Sequence, residues 1–128
     1  MLDDELRRSR GELERIVLHE LFHFVWVRLG NPARSSWEDL VRRQIREGAR
    51  GELGWSAEGR LRRLRPADAS RRTRRWREYV CESFCDAAAW VFGRLRRHAE
   101  FTLDPRFRAD RKQWFSELSR HRNGVFSI

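Results

Sequence analysis

The sequence has few cysteines and no long uninterrupted apolar run. Its two cysteines, Cys81 and Cys85, lie four residues apart in a segment with helical patterning. That arrangement is poor for a bridge and too sparse for a disulfide framework, so we expect a reducing compartment and a cytoplasmic location. The longest apolar stretch, residues 16–29, is interrupted by histidines and charges and is shorter than a membrane span requires. We expect neither a transmembrane helix nor a signal peptide, and no membrane partner.

Lysine is almost lacking as well. Of the 28 basic residues only Lys112 is a lysine, and the formal net charge is +9. Arginine pairs with carboxylates and phosphates, so charge alone makes nucleic acid or an acidic protein surface a candidate partner. Residues 60–77 hold nine arginines but lack the glycine and aromatic pattern of a nucleic-acid-binding module. We expect this stretch to be mainly a solvated face.

The pattern of apolar residues predicts a mainly α fold. The hydrophobic fraction of 40% is sufficient for a folded core, and 128 residues fit one domain, residues 1–128. Apolar positions recur at helical spacing and no segment shows sustained alternation, so we expect about four helices with little or no β-sheet. The predicted helices cover residues 10–29, 35–48, 70–97 and 104–123, with one short helix in the irregular connection 48–69. Residues 125–128 and parts of that connection are the strand candidates.

Local signals place several helix ends. Ser9 followed by Glu12 has the spacing of a capping box for the first helix. Pro66 is expected to close the short helix of the connection, since proline interrupts helices. Asp104 followed by Pro105 is typical of an N-cap and a first helical residue, so the last helix should begin there.

The strongest chemical pattern is the segment His19-Glu20-Leu21-Phe22-His23. Four residues are slightly more than one helical turn, so the two histidines project from one face and can place two nitrogens on one ion. The glutamate lies about 100° round the helix, where it can accept a proton from water beside the ion. This spacing is a known zinc motif. The alternative is that both histidines are satisfied within a core helix.

A second pair of polar residues lies on the long fourth predicted helix. Glu82 and Asp86 share one face four residues apart, within an otherwise apolar segment. Buried carboxylates require a paired cation, hydrogen-bond donors or a metal. Two histidines holding a zinc ion would meet that need across the core.

Together the two segments resemble the gluzincins, metallopeptidases that combine His-Glu-x-x-His with a downstream Glu-x-x-x-Asp, and in particular the very small minigluzincins. The resemblance implies a zincin-like helical core with Zn²⁺ as cofactor. It implies that His19, His23 and Glu82 are the zinc ligands, that Glu20 is the general base, and that Asp86 is the hydrogen-bonding partner of His19. The rival metzincin pattern fails, because the third histidine of that pattern is absent.

The resemblance covers mainly residues 12–29 and 76–92. Gluzincin peptidases carry, ahead of the metal helix, a small sheet whose edge strand aligns the substrate, and here that platform is predicted to be missing or rebuilt. Family members also use a side chain to stabilise the oxyanion. Tyr79 is the nearest candidate on helical geometry, and His98 and His121 are further candidates, although packing or surface roles fit all three. The cysteines are expected to be packing residues.

We therefore expect a zinc-dependent metallopeptidase-like protein that hydrolyses peptide bonds through a zinc-activated water with Glu20 as general base. Its partner would then be a peptide or protein substrate. The alternative is a proteolytically weak or inactive zinc-binding core that acts as a regulatory or binding module and contacts nucleic acid through its arginine-rich face. A second copy of the chain could supply the missing strand or cover exposed aromatic residues.

Overall fold

The computed structural model describes residues 2–128 and is mainly α-helical. It contains no strand within those residues, so the mainly α prediction is confirmed and residues 125–128 do not form a strand. The prediction of about four helices is too low, because six helices lie in this range. They are α1 Leu2–Arg28, α2 Asn31–Arg46, α3 Trp55–Arg62, α4 Pro66–Arg71, α5 Arg74–Phe92 and α6 Pro105–His121. None of them is long and apolar enough to cross a membrane.

Helix α1 begins eight residues earlier than its sequence pattern predicts. Its first turn contains Asp3, Asp4 and Glu5, whose negative charges favour a helix N-terminus. Ser9 therefore lies inside the helix, and the predicted capping box at this residue is wrong. The helix ends before Gly30, whose φ of 84° suits glycine in a left-handed turn.

The connection between α2 and α5 is more regular than predicted. It contains two short helices, α3 and α4, and Pro66 is the first residue of α4 instead of the end of a helix. Proline suits this position because its missing N–H would have no helical acceptor there. The carboxylate of Asp68 accepts a hydrogen bond from the backbone N–H of Arg65 at 2.6 Å, which closes the first turn.

Helix α5 is central, because it contacts each of the other five helices of residues 2–128. Helix α5 is shorter than the predicted span 70–97: it is capped by Thr73, whose hydroxyl accepts the N–H of Trp76 at 3.4 Å, and it ends before Gly93. The predicted start of α6 is confirmed, with Asp104 as N-cap and proline as the first residue. The apolar side of α1 packs along α5, and Phe84 at the centre of α5 is fully buried.

A buried polar cluster links the connection between α2 and α5 to three helices. Arg111 of α6 is 1% exposed and donates to both carboxylate oxygens of Glu52, at 2.7 and 3.0 Å. Its Nε donates to Gln44 of α2 at 2.9 Å, and the Tyr79 hydroxyl of α5 donates to Glu52 at 2.6 Å. Burial and the negative charge of Glu52 raise the pKa of Tyr79 well above its usual 10.0. The cluster fixes the chain just before α3.

A second polar cluster surrounds Glu38, a buried residue in the middle of α2. The carboxylate of Glu38 accepts hydrogen bonds from Arg42 at 2.6 Å, from Arg72 at 2.9 Å and from the indole of Trp76 at 3.1 Å. Burial alone would raise the pKa of Glu38, but the hydrogen bonds from Arg72 and Trp76 and the positive charge of Arg72 outweigh it. The pKa of Glu38 is therefore lowered from its usual 4.5.

Candidate metal centre

Three side-chain atoms from two adjacent helices converge at the predicted site. His19 and His23 project from α1 toward α5, which carries Glu82. The Nε2 of His23 lies 3.2 Å from the Nε2 of His19 and 2.9 Å from Oε2 of Glu82, and the third pair, His19 Nε2 and Glu82 Oε2, is 3.7 Å apart. The structure therefore brings together residues that are far apart in the sequence, because the apolar faces of the two helices pack in this register.

These distances fit a shared metal ion. Ligands about 2.0–2.1 Å from zinc at tetrahedral angles lie about 3.3 Å from one another, within the observed range of separations. The Oε2 atom of Glu82 is buried and has no hydrogen-bond partner among residues 2–128; although it lies close to His23, the two atoms are not aligned for a hydrogen bond. A buried carboxylate oxygen without a partner is costly, and a cation would satisfy it.

The other oxygen of Glu82 is held by the middle connection. Ser56 of α3 donates its hydroxyl to Oε1 of Glu82 at 2.8 Å, and the guanidinium of Arg60 lies 3.6 Å from the same oxygen. Ser56 thus fixes the carboxylate with Oε2 directed toward the histidines. Sequence reasoning missed this serine, because the connection has no periodic pattern that would identify its partners.

Asp86 orients His19. Its Oδ1 lies 2.6 Å from Nδ1 of His19, and its Oδ2 accepts the backbone N–H of Ala57 at 2.9 Å. The carboxylate is only 4% exposed. A histidine whose Nδ1–H is donated in this way presents the lone pair of Nε2 to a metal. The predicted pairing of Asp86 with His19 is thus present in the geometry.

The pKa of His19 reflects this environment. Burial by itself would lower the pKa, but the hydrogen bond to Asp86 and the negative charges of Asp86 and Glu82 outweigh it, so the pKa is raised above its usual 6.5. The same negative charges that favour a proton on this ring also favour a bound cation.

Gly54 makes room for Asp86. A Cβ at position 54 would lie 2.4 Å from both Cγ and Oδ2 of Asp86, which is closer than such atoms approach. The φ of Gly54 is 177°, an extended conformation that any residue adopts, so space and not backbone strain requires glycine here. The residue lies directly before α3 and lets the start of that helix reach the carboxylate.

The converging atoms open onto a cleft of about 400 Å³. Glu20 is exposed and lines this cleft together with Ile16, so the predicted general base faces the same space as the predicted ligands. Arg15 also lines it and pairs with Glu100 at 2.5 Å, which sequence reasoning missed. A larger cleft of about 770 Å³ lies between α2 and α6, but its described lining contains no histidine or cysteine.

The two cysteines lie on the far side of His23. The Sγ of Cys81 is 3.7 Å from Nδ1 of His23, and donor atoms of His23, Cys81, Glu82 and Cys85 all lie within 4.8 Å of one another. This second donor set shares His23 and Glu82 with the predicted ligand set of His19, His23 and Glu82. The predicted packing role holds for Cys85, which is fully buried, whereas Cys81 is only partly buried and contacts the site.

The three candidates for oxyanion stabilisation lie elsewhere. Tyr79 is 1% exposed and donates to Glu52 in the buried cluster, so its hydroxyl does not face the cleft. His98 lies 2.9 Å from Glu12 and accepts the backbone N–H of Glu100, and His121 is exposed at the end of α6. Within the described chain, the cleft is lined by none of these three.

The arginine-rich residues 60–77 are partly neutralised. Four of their arginines, at positions 60, 62, 72 and 74, form ion pairs with Glu82, Glu58, Glu38 and Glu78 respectively. Four of the nine positive charges are thus paired within the fold, and the solvated-face role of this stretch stays a prediction.

The chain matches no known protein family, no curated protein and no solved structure.

Proposed function

We propose that this chain is a zinc-dependent metallopeptidase-like protein of the gluzincin type, with His19, His23 and Glu82 as the residues that hold the ion. One observation carries the proposal: two imidazole nitrogens and a carboxylate oxygen face one another at 2.9–3.7 Å, and that oxygen is buried without a hydrogen-bond partner in residues 2–128. Two histidines and one carboxylate are a ligand set of catalytic zinc sites, which keep one position for water or substrate.

The chain's own residues prepare this set. Asp86 accepts a hydrogen bond from Nδ1–H of His19 and so keeps Nε2 available as a ligand, while the N–H of Ala57 holds Asp86 in place. Ser56 donates to Oε1 of Glu82 and so keeps the other oxygen, Oε2, directed toward the histidines. When bound, zinc supplies Lewis acidity and lowers the pKa of a water molecule to about 7.

Glu20 is the proposed general base. Its carboxylate lines the cleft one residue after His19, on the side where solvent and substrate enter. In the proposed reaction it accepts a proton from the attacking water and passes it to the leaving amine as the peptide C–N bond breaks.

Metal content tests the ligand set. Purified wild-type protein should bind one zinc ion per chain, and His19→Ala and Glu82→Ala should each lose it. The double substitution Cys81→Ser/Cys85→Ser is the matched control, because it removes the second donor set and leaves the first. Glu82 belongs to both donor sets, so His19→Ala is the variant that separates them. Zinc retained by His19→Ala but lost with the thiols would overturn the proposed ligands.

Hydrolysis tests the reaction. A quenched-fluorescent peptide library should be cut by the zinc-loaded wild type, and Glu20→Gln should bind zinc equally well but cut at least about a hundredfold more slowly. Equal rates for the two proteins would show that the activity belongs to a contaminant or that this carboxylate is not the base.

A second candidate function is a zinc-binding core that is weakly proteolytic or inactive and acts as a regulatory or binding module. It is favoured by the helical architecture: within residues 2–128 no strand lies beside the cleft to align a peptide. Under this alternative, zinc is retained while neither wild type nor Glu20→Gln cuts the library. Electrophoretic shift of RNA and DNA oligonucleotides at rising salt then tests whether the arginine-rich residues 60–77 bind phosphate.

A further inference from the structure

The outer side of α1 carries a stripe of exposed, mainly apolar residues. Seven positions lie on this side when α1 is followed from residue 6 to residue 27 in alternating steps of four and three residues. Five of them are apolar, and two are charged, Arg10 and Glu20. All seven are exposed, and the apolar ones range from 47% exposed to 70% exposed. We call these seven positions the outer seam. Its apolar members are Leu6, Leu13, Val17, Phe24 and Val27.

This spacing is that of a coiled-coil seam. Apolar residues that alternate at steps of three and four stay on one side of a helix and pack as knobs into the holes of a facing helix. The seam covers three heptads of the 27-residue α1, and its positions point away from α5, against which the opposite side packs. A soluble monomer rarely exposes so many large apolar side chains in one continuous stripe.

The two charges in the seam select its partner and direction. In a parallel pair of identical helices, Arg10 would face Arg10 and Glu20 would face Glu20, and both layers would repel. In an antiparallel pair, Arg10 of each copy faces Glu20 of the other. A second copy of this chain therefore has the complementary charges at the required positions, and the contact is closed and symmetric.

The same alignment matches the apolar residues. When Arg10 faces Glu20 across the dimer axis, Leu6 faces Phe24 and Leu13 faces Val17 of the other copy. Shifting the helices by one heptad in either direction would place Arg10 opposite Leu13 or Val27 and bury a charge against an apolar side chain. Only one of these three registers pairs both charges.

We infer that two copies of this chain associate through an antiparallel coiled coil of their α1 helices, in the register that pairs Arg10 with Glu20. The inference requires no metal and goes beyond the proposed function. It also has a consequence for the cleft, because Glu20 lies both in the seam and at the rim of the cleft. In the dimer the second copy would cover Glu20, so a peptide would reach Glu20 only in the monomer.

The test is a charge exchange followed by light scattering on a sizing column and by sedimentation equilibrium. Wild-type protein at about 100 μM should have twice the 15.5 kDa mass of one chain. Arg10→Glu and Glu20→Arg should each weaken the dimer by at least about tenfold, since each creates two like-charge layers. The double variant Arg10→Glu/Glu20→Arg should restore the wild-type dissociation constant to within about threefold.

Two controls keep the outcome decisive. Leu13→Glu should give a monomer with unchanged helix content by circular dichroism, because the residue is 63% exposed in the single chain. Val125→Glu, at an apolar residue 67% exposed outside α1, should leave the dimer unchanged. A monomeric wild type overturns the inference. So does a dimer that both single charge variants leave intact, or one that the double variant fails to restore.

Discussion

Replacing Asp86 by asparagine perturbs the hydrogen bond that orients His19 while keeping the size of the side chain. The carboxylate is 4% exposed, with one oxygen 2.6 Å from His19 Nδ1 and the other accepting the N–H of Ala57. Asparagine has one acceptor oxygen for these two donors. If that oxygen stays on Ala57, its NH₂ faces Nδ1 and forces the proton onto Nε2, the atom proposed to bind zinc. If it faces His19, two N–H groups oppose each other at Ala57.

Either arrangement should weaken zinc binding. Loss of such a partner typically costs about 10- to 100-fold in metal affinity, or about 1.4–2.7 kcal/mol, and the deep burial of this bond places the expected loss near the upper end. The assay is a competition titration against a chromogenic zinc chelator at pH 7.5, with thermal unfolding of the metal-free protein followed in parallel. Asp39→Asn, at an exposed aspartate of α2, is the matched control.

Unchanged zinc affinity in Asp86→Asn, alongside loss of zinc in His19→Ala, would refute the reasoning. It would mean that the hydrogen bond between Asp86 and His19 has no role in presenting the imidazole. A loss of affinity accompanied by an equally large loss in Asp39→Asn would point to a general electrostatic effect instead.

Three further predictions concern space, a buried ion pair and pH. Gly54→Ala should displace the Asp86 carboxylate, because the new Cβ would lie 2.4 Å from its Oδ2, and the same titration should show weakened zinc binding. Glu52→Gln should lower the free energy of unfolding by about 3–5 kcal/mol in urea titrations, since it leaves Arg111 buried without its carboxylate. Glu38 has a pKa lowered from 4.5, so its ionised form stabilises the fold above that pH and the contribution is lost as the pH falls through the lowered value. The stability difference between wild type and Glu38→Gln should therefore shrink in acid.

Each of these has a matched control in the chain. Gly59→Ala lies in α3, where a Cβ would meet no described atom within 4 Å, and should stabilise the helix by about 0.5–1 kcal/mol without affecting zinc. Glu117→Gln, at an exposed residue of α6, should leave both the urea midpoint and its acid dependence unchanged. Equal effects of Gly54→Ala and Gly59→Ala on zinc binding would contradict the steric argument. An unchanged acid dependence in Glu38→Gln would contradict the assigned pKa shift.

The candidate site was predictable where its residues share a helix. The spacing of His19 with His23, and of Glu82 with Asp86, places each pair on one face, and apolar neighbours indicated that both helices are buried. The structure brings these four residues together, but the binding of zinc by three of them stays a prediction. Cytoplasmic location and the general-base role of Glu20 likewise stay predictions.

What could not be predicted depends on the irregular connection. Ser56, Ala57 and Gly54 reach the carboxylates of α5 from a segment without hydrophobic periodicity, so no pattern identified them. Tyr79 is a candidate for the site on sequence because it lies three residues before Glu82, but that spacing leaves it about 60° round the helix, on the side that faces the buried cluster. The buried carboxylate of Glu52, 27 residues before Tyr79 in the sequence, accepts the tyrosine hydroxyl instead.

The oxygen of Glu82 that lacks a hydrogen bond has a consequence for which residues selection keeps at position 82. Without a bound cation, a buried carboxylate oxygen that accepts no hydrogen bond is unfavourable, even with His23 2.9 Å away. Leucine or methionine at this position would remove that unfavourable term, together with the hydrogen bond from Ser56. A library selected only for thermal stability should therefore enrich apolar residues at position 82, whereas a population selected for the proposed activity should keep glutamate there at the expense of stability. Deep sequencing of the two selections would separate a residue kept for function from one kept for folding.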